Sequence, residues 1–127
     1  MGLDQHVYKI KHDISKDVDF NEEIQDIDVE QIHYWRKHPN LHGFMENLYI
    51  EKGGDGREFN CRPVKLTQED IDKLAEVILD KNLPETTGFF FGESLGNKEE
   101  EDDDLDFCSK ASQALKKGYN IYYESWW

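Results

Sequence analysis

The strongest constraint on this chain is a helix punctuated at both ends. Leu41, Phe44, Met45, Leu48 and Tyr49 fall at i, i+3, i+4, i+7 and i+8, which is one apolar stripe at the helical period. Pro39 precedes them and Gly53-Gly54-Asp55-Gly56 follows. Proline fits a first helical turn and is excluded from a helix interior, while the glycines end the helix and turn the chain. The spacing therefore predicts a helix from about 39 to 51 with a one-sided face that needs a partner layer.

Two further helices follow from the same logic. Thr67 and Asp70 form a capping pair ahead of Ile71, Leu74, Ala75, Ile78 and Leu79, with Asn82 and Pro84 as the stop. The acidic run Glu99 to Asp106 leads into Leu105, Cys108, Ala111 and Leu115, closed by Lys116, Lys117 and Gly118. Acids at the start and lysines at the end suit the helix dipole. Four strands are expected between them: Leu3–His12, Arg57–Val64, the segment Gly88-Phe89-Phe90-Phe91-Gly92, and the aromatic end Tyr119–Trp127. Residues 13–28 read as a loop, and Ile27, Val29 and Gln31 as a short extended piece leading to Tyr34. The fold class is α+β: a single domain over residues 1–127 with about four strands and three helices, large enough for a core without metal or disulfide staples. The helix between them would let 88–92 and 119–127 be parallel neighbours.

Charge narrows the function. The chain holds 28 acidic residues against 15 Lys plus Arg, a formal net charge of −13. That excludes duplex nucleic acid bound through a general basic surface, which needs many phosphate contacts. No apolar run reaches membrane-spanning length, so no membrane partner is expected. The opening Met1-Gly2-Leu3-Asp4 lacks a basic region followed by an apolar run, and Cys61 and Cys108 form no CxxC, so reduced thiols in the cytoplasm are expected.

One segment reverses the general sign. Residues 31–45 contain no Asp or Glu, yet hold three of the five histidines, Arg36, Lys37, Tyr34 and Trp35. Arg36 offers a planar fork and Lys37 a point charge for phosphate. Tyr34 or Trp35 can stack on a base, and His42 can donate a hydrogen bond. These five are the expected ligand-binding residues. His38 and His42 stand at i, i+4, but no HExxH, P-loop, GxSxG or EF-hand pattern is present, so no metal, cofactor or catalytic group is expected.

The Met1-Gly2-Leu3-Asp4 opening, Tyr34-Trp35-Arg36-Lys37 with His42 soon after, and Gly88-Phe89-Phe90-Phe91-Gly92 together resemble a family of small phage and prophage proteins. The resemblance spans most of the chain and implies a phage-derived protein in a bacterial cytoplasm. It also implies a helix continuing from the Tyr34–Lys37 segment, from which Pro39 departs. Three readings follow: a non-enzymatic binder of a phosphorylated, nucleotide-like ligand that sequesters a host defence signal; an acidic interaction protein or DNA mimic that occupies a basic host protein; and a small enzyme on a nucleotide, with His42 and a Glu as acid and base. Sites in small domains often form between subunits, so a homo-oligomer is among the expected states.

Overall fold

The computed structural model describes residues 2–25, 27–88 and 91–127. Among them the order is β1 (Asp4–Ile10), α1 (Asn21–Ile24), β2 (Glu30–Arg36), α2 (Pro39–Glu51), a 3-10 turn (Gly56–Glu58), β3 (Val64–Leu66), α3 (Gln68–Leu79), α4 (Lys98–Lys116) and β4 (Asn120–Trp126). The class is α+β, as expected. No described helix is long and apolar enough to cross a membrane.

The sheet runs β2-β1-β4-β3, with every neighbour antiparallel. The last strand of the chain thus sits inside the sheet. Strand alternation sorts side chains onto two faces. Val7, Trp35, Val64, Leu66, Ile121 and Tyr123 face the helices. Leu41, Met45, Leu48, Leu74, Phe107 and Ala111 pack on them in one core. On the other face Ile10 and Tyr122 are covered by Ile14 and Phe20, from the segment that links β1 to β2. Ile24 of the short α1 packs beside them, and among the described residues no other helix lies on that face.

The helices form where the periodicity puts them. α2 buries all five residues of its predicted stripe. Its Gly43 faces a close crossing, because a Cβ there would fall 1.9 Å from Thr86 Oγ1. α3 starts with a complete capping box between Thr67 and Asp70. The acidic run is the first two turns of α4 itself, with Asn97 capping the Glu100 N–H.

The strands depart from the sequence reading in three places. Arg57–Val64 is not a strand: Cys61 adopts φ 64°, the backbone turns, and pairing begins only at Val64, after Pro63. Within the predicted 88–92 strand, Phe91 N–H donates to Gly88 C=O at 3.1 Å in a turn, and Phe89 and Phe90 lie outside the described residues. A parallel pairing with 119–127 is overturned, because β4 lies between β1 and β3 and is antiparallel to both. The fourth strand is instead β2, which takes in Tyr34, Trp35 and Arg36. The chain is therefore extended, not helical, through Arg36, and it turns at Lys37 before α2 begins at Pro39.

Candidate functional site

β2 and the turn after it distribute the predicted binding residues. Tyr34 and Arg36 point to the face opposite the core, and Trp35 points into the core, 5 % exposed. Lys37, the residue after the strand, is in the left-handed region at φ 57°, with its N–H donating to Leu3 C=O at 2.8 Å. A groove of about 430 Å³ brings Tyr34, Trp35, Arg36 and Lys37 together along one wall with His38. The opposite wall is Glu93, Leu95 and the α4 residues Glu99, Glu100 and Asp103. His42 is not part of it.

The two cations differ. Arg36 donates to Asp4 Oδ1 at 3.0 Å, and Tyr34 O–H donates to the same oxygen at 2.5 Å. The Tyr34 hydroxyl first, and then the Arg36 guanidinium, hold the Asp4 carboxyl below its ordinary range. Arg36 keeps half of its side chain exposed. Lys37 has no ion-pair partner among the described residues. Two glycines shape its place: a Cβ on Gly92 would fall 3.0 Å from Lys37 Cδ, and one on Gly2 would fall 3.2 Å from Cε. Both glycines have positive φ, 72° and 136°. A non-glycine residue in the left-handed region costs on the order of 1 kcal/mol and persists only where its surroundings impose it.

His38, at the N-cap of α2, forms the floor. Its backbone N–H donates to Gln5 Oε1 at 2.9 Å, and its C=O accepts from Gln5 Nε2 at 3.1 Å. Nε2 lies 2.9 Å from Asp104 Oδ2 and Nδ1 lies 2.7 Å from Ser94 Oγ. The Trp35 indole N–H donates to Asp104 Oδ1 at 3.0 Å, and Ser94 Oγ accepts from the Asn40 N–H at 3.1 Å. A carboxylate only accepts, so Nε2 carries a proton, while Nδ1 faces the Ser94 hydroxyl. This is the connectivity of a serine, base and orienting acid. The rest of a nucleophilic site is missing. The N–H groups of Leu95 and Gly96, at 2.7 and 3.1 Å, donate to the Glu100 carboxylate, whose Oε2 stands 3.7 Å from His38 Nδ1. The nearby donors are thus spent on a carboxylate, and that charge opposes an oxyanion at Ser94. Ligand atoms of His38, Glu100 and Asp104 lie within 4.8 Å of one another, so they are the residues that could take a cation, at the expense of the His38–Asp104 bond. As it stands, the network ties α4 to β2 and α2.

His42 is fully buried in a box of rings. It stacks on Phe59 at 5.1 Å, and Phe91 and Trp127 meet it edge-on. Nδ1 is 2.7 Å from Tyr123 Oη, and Nε2 has no partner among the described residues. Burial lowers its pKa to about 3. A neutral, enclosed imidazole cannot reach a ligand in the groove, the Trp35 indole N–H is committed to Asp104, and the exposed ring of Tyr34 lies on the other face of edge strand β2, against His6.

Sequence reasoning passed over Asp104 and set Ser94 aside as a nucleophile because no GxSxG surrounds it. The signal for Asp104 was its place four residues before Cys108, on the buried side of α4, inside a run read as solvated. Nothing local marks Ser94, whose partners are 54 and 56 residues away. A comparison with known proteins finds no matching family model, curated protein or solved structure.

Proposed function

We propose that the groove binds a small phosphorylated ligand of nucleotide type without turning it over. The observation that carries this reading is Lys37, a strained cation with no ion-pair partner among the described residues, held at the rim between two glycines. Strain of this kind concentrates at functional positions. Arg36 supplies the remaining guanidinium N–H groups beside it, and a base that reaches over edge strand β2 would meet the exposed ring of Tyr34 on its other side. The acids opposite, Glu93, Glu99 and Asp103, suit sugar hydroxyls and exocyclic amines, which are donors. Binding is favoured over chemistry because the donors that would stabilise an oxyanion near Ser94 already serve Glu100.

The resemblance to small phage proteins supports a role in sequestering a nucleotide signal of host defence in a bacterial cytoplasm. Native mass spectrometry against a panel of mono-, di- and cyclic dinucleotides tests the reading. The expected result is a one-to-one adduct with at least one nucleotide, recovered intact after incubation. Recovery of a hydrolysed product would replace binding by catalysis, and no adduct with any member would remove the reading.

A further inference from the structure

The face of the sheet opposite the core carries a second feature, separate from the groove's acidic wall. Register places Tyr34, His6 and Glu124 in one row across β2, β1 and β4, with Arg36, Asp4 and Trp126 in the next. Trp126 lies over His6, with ring centroids 4.4 Å apart and planes 25° apart, and Tyr34 tilts against the same imidazole at 5.0 Å. Tyr34 and Trp126 remain 43 % and 41 % exposed, although large rings are ordinarily buried. Arg36 and Asp4 neutralise each other. Glu124 is half-buried between Trp126 and Tyr122 on the same strand face and makes no hydrogen bond or ion pair among the described residues. Its desolvation raises its pKa.

An unpaired carboxylate set among π faces is an unfinished site. Ring faces and carboxylate are both complementary to a cation, and guanidinium fits best, since it stacks on a ring while it pairs with a carboxylate. We infer that this face docks an arginine-bearing segment of a protein partner, with the guanidinium between Trp126 and Glu124 and Tyr34 at the rim. A second copy of the chain is disfavoured, because a two-fold contact would bring Glu124 towards its own image and set two bodies of formal charge −13 against each other.

The test uses the full chain and a synthetic peptide, acetyl-Gly-Arg-Gly-Arg-Gly-amide, titrated by fluorescence anisotropy, with sedimentation velocity on the protein alone. Any acidic protein attracts such a peptide weakly, so the variants decide. Glu124→Gln and Trp126→Ala are each expected to weaken binding by roughly tenfold, as loss of a desolvated cation contact does. Asp102→Asn removes one exposed charge on α4 and is expected to change binding by less than about twofold. Circular dichroism confirms the fold of each. Equal effects of all three variants, no effect of Glu124→Gln, or a protein dimer that Trp126→Ala dissociates would each overturn the inference.

Discussion

Buried His42 and half-buried Glu124 make opposite demands on pH. The His42 pKa falls from 6.5 to about 3 in the folded chain. The unfolded state therefore takes up the proton first, and stability falls as pH drops below about 6.5, by up to roughly 1.4 kcal/mol per unit, until the folded pKa is reached. Urea midpoints between pH 7 and 4 measure this slope, and His42→Phe is expected to flatten it. The same variant leaves the Tyr123 hydroxyl without its imidazole partner, so a lower midpoint at pH 7 is expected beside the flatter slope. Glu124 runs the other way. Its raised pKa means the folded chain holds the proton longer, so stability is lost as pH rises through the folded value. Glu124→Gln is then expected to raise the melting midpoint at pH 7, by about 1–3 °C. At this scale the sequence was a poor guide. His42 stands in the first turn of α2, where exposure and burial are equally compatible with its spacing, and only the rings from β4, residue 59 and residue 91 decide the matter.

At the scale of elements, legibility follows how local the signal is. Both ends of α2 were readable because proline and glycine act on their own backbone. α3 was readable because Thr67 and Asp70 satisfy each other's N–H groups within four residues, at 2.9 and 3.2 Å. Thr67→Ala is expected to cost about 1 kcal/mol, read as a shift in urea midpoint with an unchanged slope. Strands were less readable, since their partners are remote. Arg57–Val64 has the composition of a strand, but the left-handed backbone at Cys61 and the absent N–H of Pro63 shorten pairing to three residues. β2 was hidden by its own chemistry. Its His, Tyr, Trp and Arg look like a ligand site, yet their alternation places His33 and Trp35 in the core and Tyr34 and Arg36 on the open face. The clustering of these residues was thus legible in the sequence, while the splitting of that cluster between two faces came from pairing with β1.

Across the whole molecule, the acidic charge is organised rather than spread. Asp104 is 1 % exposed and receives bonds from His38 and Trp35, which hold α4 against the sheet where the groove lies. Removing one partner of a buried charged network strands the others, so Asp104→Ala is expected to destabilise by about 3 kcal/mol or more in urea unfolding. Exposed acids of α4 carry no such consequence. The groove then has one wall fixed by that network and the other fixed by Lys37 between Gly2 and Gly92. Calorimetric titration of the wild type and Lys37→Ala with the nucleotide identified by mass spectrometry tests this most directly. The expected result is a one-to-one complex with Kd of about 100 µM or tighter, weakened roughly tenfold in the variant at unchanged thermal stability. An affinity unaltered by Lys37→Ala would contradict the assignment of the groove as the ligand site.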